Sequence, residues 1–196
     1  VVVDATENLS VSALLGVDTK KTMAIPVNSQ DPFEGKLYRT AVALAYAGSG
    51  TLRIPLPMAA LIPQTVENLV ILPGQIAGQR LVRMSAGRAA GAIAAYCAFF
   101  KTTTKTVNVR VTQGELLAFN ALLIPYSDID RNDPNFMAYQ RLGLSGLIKP
   151  KIINNEIRLD TAGTVSHTEL QSTMKEFYTR SQIWFADNKN EVLTID

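Results

Sequence analysis

The alternation of apolar and polar positions predicts an α/β arrangement in the first half of the chain. It opens with a β-branched run, VVVDA, of the kind that is buried in a parallel sheet. A short helix in LSVSALLG then ends at Gly16. Two strand candidates flank a glycine-rich turn at 48–50, and a third apolar run covers 68–72. An Ala- and Gly-rich helix follows over roughly 80–100.

The second half of the chain changes to amphipathic helices that carry their own caps. Thr112 and Glu115 form a capping-box pattern, Asp133 precedes a proline at a helix start, and Ser166 begins a second capping box. Gly146 can close the middle helix. Between the last two helices, KIINNEIRL predicts a hairpin or extended segment around its two asparagines.

The polar run KTTTKT, at 101–106, is the natural place to divide the chain. We therefore predict an α/β region over 1–104 and an α-helical C-terminal module over 105–196. The chain has 196 residues, of which 47% are hydrophobic and 18% charged, so it can bury a sizeable core.

Composition speaks against several classes of function. The net charge is +2 and no basic cluster is denser than Lys20 with Lys21, so we predict no nucleic-acid binding. The longest uncharged apolar helix, 89–100, is about a dozen residues long, and roughly twenty are needed to span a membrane. The single cysteine, Cys97, excludes an internal disulfide, and we expect it to be buried. The single histidine, His167, stands near a helix start and is expected to face solvent, so we predict no metal site.

Three carboxylates lie together in the segment SDIDRND. The spacing of Asp128, Asp130 and Asp133 suggests either a cation loop or a turn with a helix cap. An EF-hand also needs a glycine at its sixth position and a terminal glutamate, which this segment lacks. The turn and cap are therefore favoured. We assign no catalytic acid or base from the sequence.

Small residues dominate the stretch ENLVILPGQIAGQRLVRMSAGRAAGAIAAY, at 67–96. Here a short apolar run breaks at a Pro-Gly pair, and the Ala/Gly-rich helix follows. Small residues let a backbone or a ligand approach closely, and a helix start offers unpaired N–H groups to an anion. The pattern is typical of a nucleotide-binding turn and equally of any tightly packed helix and strand.

Three phrases, VVVDAT, IPLPMAALIPQTVENLVILPG and GRAAGAIAA, carry a resemblance to a known family. In this order they resemble the C-terminal half of the FAD-binding region in FAD-dependent oxidoreductases, the bacterial family often found beside xanthan lyase. The resemblance covers 1–6 and about 53–96. It implies a fragment or remnant of an FAD-binding sheet-and-helix domain, in which the flavin carries the oxidoreductase chemistry.

The resemblance implies six cofactor-binding residues: Ala5, Thr6, Gly74, Gln75, Gly87 and Gly91. The first two would line the diphosphate or ribityl side of FAD. The next pair belongs to the turn that meets the flavin. The last two would let the final helix pack against the nucleotide-binding sheet, so we expect a strand directly against them and overpacking when Gly91 is replaced by leucine.

The chain departs from this family at three points. Glu7 stands where the family has a glycine after Asp-Ala-Thr, and Gln75 stands where it has an arginine. In addition, no G-x-G-x-x-G follows a strand, although that turn is what holds the pyrophosphate. We therefore predict that this chain alone does not hold FAD tightly. A missing N-terminal half or another subunit is the expected partner.

The predicted function is thus the C-terminal portion of an FAD-dependent oxidoreductase that lacks the glycine-rich turn. The alternative is a non-catalytic binding or assembly protein that keeps the same framework. The tail, with DIDRNDPNFMAYQRLGLSGLIKP and VSHTEL, weakly resembles an S-layer-homology-type unit. No signal peptide is visible, so we expect a soluble protein that is cytoplasmic or exported and processed.

Overall fold

The protein divides into two compact units, 1–125 and 126–196, which are described separately. The structure is a computed structural model. It describes residues 1–19, 31–47, 50–72, 80–161, 163–188 and 193–194. In the part of the chain that it describes, every helix falls short of the length or apolarity that a membrane crossing requires.

The first unit has a mixed α/β architecture, which confirms the predicted class. In chain order it contains β1 (Val2–Asp4), α1 (Ser10–Leu14), β2 (Ala41–Tyr46), β3 (Arg53–Pro57), β4 (Leu69–Ile71), α2 (Arg80–Phe100) and α3 (Val109–Ala118). Short 3₁₀ turns lie at Leu37–Thr40, Met58–Ala60 and Thr104–Thr106.

The strands β1 and β4 form a parallel pair, which is the type of pairing predicted for β1. Val2 lies opposite Leu69, and Asp4 lies opposite Ile71. The predicted burial of β1 is wrong, however, because Val2 is 53% exposed and its neighbours are also exposed. The reason is topological: among the described residues β1 pairs only with β4, so it forms an open edge. β4 is buried throughout.

The strands β2 and β3 form the predicted antiparallel hairpin, with an irregularity between Ala41 and Ala43. Residues 48 and 49 of its turn lie outside the described residues. The helix α2 covers 80–100 as predicted and packs on β2, where the backbone N–H of Leu44 donates to the hydroxyl of Ser85 at 3.0 Å. A bond this far apart in sequence fixes the helix against the strand.

The helix α3 begins four residues earlier than the capping-box pattern predicts. Its N-cap is Asn108, whose side chain accepts from the backbone N–H groups of Arg110 and Val111. Thr112 lies inside the helix, so its predicted capping role is wrong. The cause is the buried amide of Gln113, which donates to the carbonyls of Arg39 at 3.0 Å and Ala41 at 2.8 Å. These bonds hold α3 in the first unit, so the unit boundary falls later than the predicted 104/105.

The second unit contains strands as well as the predicted helices. In chain order it has α4 (Phe136–Ser145), β5 (Lys151–Ile153), β6 (Glu156–Arg158), β7 (Thr164–Val165), α5 (His167–Phe177), α6 (Ser181–Asp187) and β8 (Leu193–Thr194). β5 and β6 form the expected hairpin. Asn154 and Asn155 in its turn have φ of 52° and 62°, the left-handed pair that a tight hairpin requires.

Two of the predicted caps of this unit are confirmed and one is displaced. Gly146 closes α4 with a φ of 78°, and Ser166 accepts from the backbone N–H of Glu169 at 3.2 Å. Asp133 does not cap α4, which begins at Phe136. Its carboxylate accepts instead from the N–H of Asn135 at 2.7 Å, because the chain makes a side-chain-closed turn before the helix starts.

His167 does not face solvent as predicted. Its ring is half-buried, edge-on to Phe185 with centroids 4.8 Å apart and stacked toward Trp184 at 6.5 Å. The atom Nε2 is buried and has no hydrogen-bond partner among the described residues. The apolar surface of α6 therefore outweighs the usual preference of a histidine for water.

Candidate functional site

The carboxyl ends of the parallel strands β1 and β4 meet at one point. The backbone N–H of Leu72, just after β4, donates to the carbonyl of Asp4 at 2.9 Å. Ala5 and Thr6 follow Asp4 directly, and both are exposed. In open parallel sheets, ligands bind outside the carboxyl ends of the strands, so this edge is the candidate site.

A fully buried carboxylate lies directly beneath this edge. Oδ1 of Asp4 accepts from the hydroxyl of Thr6 at 2.6 Å and from its backbone N–H at 3.2 Å. Oδ2 accepts from the hydroxyl of Ser12 at 2.6 Å and from its backbone N–H at 2.7 Å. We call these three residues the Asp4 cluster. They tie the end of β1 to the helix α1.

Hydrogen bonding keeps this buried carboxylate ionised. Burial alone would raise the pKa of Asp4, because it disfavours the charged form. The hydrogen bonds from Ser12 and Thr6 outweigh that effect, so the pKa of Asp4 lies below its ordinary value. The cluster therefore carries one negative charge at neutral pH.

Two of the backbone donors at the start of α1, the N–H groups of Ser10 and Ser12, are already used inside the protein. The N–H of Ser10 donates to the hydroxyl of Thr6 at 2.8 Å, and that hydroxyl donates onward to Asp4. Leu9, before the helix, is held in the left-handed region at a φ of 51° because its side chain is buried in a cluster with Leu69 and Ile71. These N–H groups are thus not available to an anion.

The structure brings Ala5 and Thr6 to the candidate edge. Of the other implied site residues, Gly87 and Gly91 lie on α2, away from this edge. Gly74 and Gln75 lie outside the described residues, and Leu72 is the last described position before them. Their assignment stays a prediction.

The predicted packing of a strand against Gly87 and Gly91 is wrong. A Cβ added to either glycine would meet nothing within 4 Å. The buried face of α2 instead carries Ala86, Ala89 and Ile93. Both Ala and Gly are small enough for close packing, so the sequence alone does not separate the two faces.

Gly91 opens instead onto a groove between α2 and α3. We call this cavity of about 800 Å³ the α2/α3 groove. Small residues on α2, including Gly91 and Ala95, line it together with exposed aromatic rings, among them Phe99 and Phe119. The guanidinium of Arg88 reaches across from α2 to the carbonyl of Phe119 at 3.4 Å.

The acidic segment of the second unit forms turns. Asp128 accepts from the backbone N–H groups of Leu159 at 3.0 Å and Asp160 at 2.8 Å. Asp130 accepts from the N–H of Asn132 at 2.8 Å. Of the two interpretations offered by the spacing, these contacts correspond to the turn. Across the described ranges, His, Cys, Asp and Glu side chains nowhere gather in a group of three that could hold a metal ion.

Neither Ser12 nor the role of Asp4 was predicted from the sequence, although signals for both are present in it. A carboxylate that ends a β-branched run stands where burial is expected, and a buried charge needs partners. A threonine two positions later and a serine on the next helix supply the hydroxyl groups.

The chain matches no protein-family model, no curated protein and no solved structure.

Proposed function

We propose that this chain is the C-terminal portion of an FAD-dependent oxidoreductase whose diphosphate-binding turn is supplied by another segment or subunit. The observation that supports this proposal most is the meeting of two parallel strands at Asp4 and Leu72, followed by the exposed Ala5 and Thr6. That arrangement is the edge at which open α/β sheets bind nucleotides.

The open edge of β1 also supports the proposal. Parallel sheets are normally covered on both faces, because the crossover helices lie over them. Here the valines of β1 are exposed, and β1 has a strand partner on only one side among the described residues. A further strand with its crossover helix on that side would complete a sheet of the ordinary kind.

The described residues do not fit the diphosphate group of FAD. The N–H groups of Ser10 and Ser12 are bound to Thr6 and Asp4, so neither is free to bind a diphosphate. The ionised Asp4 adds a negative charge at the same edge, and the exposed Glu7 adds another. We therefore derive no catalytic step from these residues, and the diphosphate site has to come from elsewhere.

The test compares the chain alone with the longer protein. The reading frame before residue 1, or a subunit that copurifies, should carry a G-x-G-x-x-G after a strand. That longer protein or complex should keep stoichiometric flavin absorbance through gel filtration, while this chain alone should lose added FAD. A glycine-rich turn with no flavin bound would overturn the proposal, and so would tight FAD retention by the chain alone.

The alternative, a non-catalytic assembly protein, is favoured by one observation of its own. Within the first unit, the α2/α3 groove exposes large aromatic rings that its other described residues leave open. The colour of the longer protein or complex separates the two candidates, because bound oxidised flavin makes a protein yellow.

A further inference from the structure

The α2/α3 groove is smooth in the middle and differs at its two ends. Gly91, Ala92 and Ala95 form the small central part on α2. Arg88 lies at one end, and Phe100 lies at the other, twelve residues along the helix or about 18 Å. The side of the groove formed by α2 therefore has a cationic end and an aromatic end, and the small side chains lie between them.

The course of α3 confirms this polarity. Arg88 contacts the carbonyl of Phe119, just beyond the C-terminal end of α3, while the short connection 101–108 joins Phe100 to its N-terminal end. The two helices are thus antiparallel. Phe119 stands at the cationic end, and Val111 stands at the aromatic end.

We propose that the occupant of the α2/α3 groove is a second copy of this chain, related by a two-fold axis near the small residues 91–95. In that arrangement the α2 helices run antiparallel, so Arg88 of each copy lies over Phe99 and Phe100 of the other. A guanidinium over an aromatic face is attracted by the ring, and the contact occurs twice by symmetry. Gly91 at the axis lets the helices approach closely.

The three exposed rings offer a limited apolar area for such a contact. Phe99, Phe100 and Phe119 are 82%, 54% and 74% exposed. A covered aromatic side chain buries about 150–250 Å², so these rings present roughly 400 Å² of apolar surface. That approaches the largest patch usual on a monomer, and it falls below the roughly 800 Å² per partner of a standard interface. The pairing is therefore reversible and depends on concentration.

Other occupants fit the groove less well. An anionic amphiphile would use Arg88 but would meet the carboxylate of Glu115, which also lines the groove. A neutral apolar ligand would leave both charges unused. The second copy supplies aromatic rings for Arg88 and small residues for the small central part, so it matches the cation and the centre of the groove.

The first experiment measures the mass of the full chain by sedimentation velocity over a wide range of concentration. We expect a monomer–dimer equilibrium that Phe99→Glu weakens at least tenfold. The matched control is Leu81→Glu, which places the same charge on an exposed position of α2 away from the groove and should leave the equilibrium unchanged. Because both positions are exposed, circular dichroism should show both variants folded.

The second experiment tests the two-fold geometry. Cys97 is the only cysteine and is buried, so an added cysteine reports on its own position. Ala95→Cys lies near the proposed axis and should form a disulfide between copies on mild oxidation. Met84→Cys lies about three turns earlier on the same side of α2, so it crosslinks in a parallel pairing and not in the antiparallel one.

Three results would overturn the proposal. They are a chain that stays monomeric at every concentration, equal weakening by Phe99→Glu and Leu81→Glu, and a dimer in which Met84→Cys crosslinks or Ala95→Cys does not. A monomer that binds one equivalent of the apolar dye ANS, and loses it in Phe99→Glu, would assign the groove to a small molecule instead.

Discussion

The Asp4 cluster and the α2/α3 groove meet their physical requirements in opposite ways. The cluster buries a charge and surrounds it with four hydrogen bonds from Thr6 and Ser12. The groove leaves its aromatic rings exposed to solvent. Both lie in the first unit, and α2 contributes to the groove while its other face packs on the strands.

The difference shows which region has to be stabilised by contacts within this chain. A buried polar group costs free energy unless it is paired within the fold, so the Asp4 cluster must already be complete. An exposed apolar patch costs less free energy in the isolated chain, and a partner can cover it later. Substitutions in the cluster should therefore change stability, and substitutions in the groove should change association.

The largest effect is expected for Asp4→Ala. It leaves the two donors of the buried Ser12 without an acceptor, so we expect a loss of about 3 kcal/mol in the free energy of unfolding. Urea denaturation followed by circular dichroism measures it. The control is Glu7→Ala at an exposed position, with an expected change within about 0.5 kcal/mol. Equal stability of the two variants would show that the cluster is dispensable.

Acidification should remove the same stabilisation in a graded way. The pKa of Asp4 is lower in the folded chain than in the unfolded chain, so its contribution is complete above the ordinary aspartate pKa of about 4. The contribution is lost as pH falls from there through the folded pKa. The stability difference between the natural chain and Asp4→Ala should shrink over that window. A difference that stays constant down to the acid limit would contradict this assignment.

A smaller and opposite effect is expected for Gly91→Ala in dilute solution. A Cβ meets open space there, so alanine should raise helix stability by about 0.5–1 kcal/mol. Because that space is open, the overpacking that the sequence predicted for Gly91→Leu is not expected. Gly146→Ala is the contrasting variant, because its φ of 78° makes any side chain unfavourable, and thermal unfolding should show a loss.

The smallest effect on folding is expected for Phe119→Ser. The ring is largely exposed, so the melting temperature of the monomer should move by the equivalent of no more than about 0.5 kcal/mol. Differential scanning calorimetry at low protein concentration checks it. A large drop would place this ring in the folded core and remove it from the groove.

Local signals in the sequence predicted much of the fold. Ser166 and Gly146 mark helix ends through side-chain and backbone chemistry that needs only a few neighbouring residues, and the structure confirms both. The paired asparagines of the β5–β6 hairpin act in the same way. The bounds of α2 follow from its composition, since it lacks proline throughout.

Long-range contacts decided what the sequence did not predict. Asn108 and Thr112 are both good caps, and the bonds of Gln113 to the start of β2 select the first. On α2, alanine and glycine offer the same small volume, so only the docked strands show which face is inside. One of the two partners of Asp4, Ser12, stands eight positions along the chain, so its contact depends on how α1 packs against the end of β1.

The reactivity of the Cys97 thiol can be used to measure local opening of α2. The thiol is buried, and burial raises its pKa, so steric protection and the scarcity of thiolate both slow its reaction with electrophiles. A thiol reagent reaches the sulfur only when the end of α2 separates from its neighbours. The chain has no other cysteine, so the labelling rate reports on the sulfur of Cys97 alone. Compared with the rate for an exposed thiol, it gives the free energy of local opening of α2 in the intact chain.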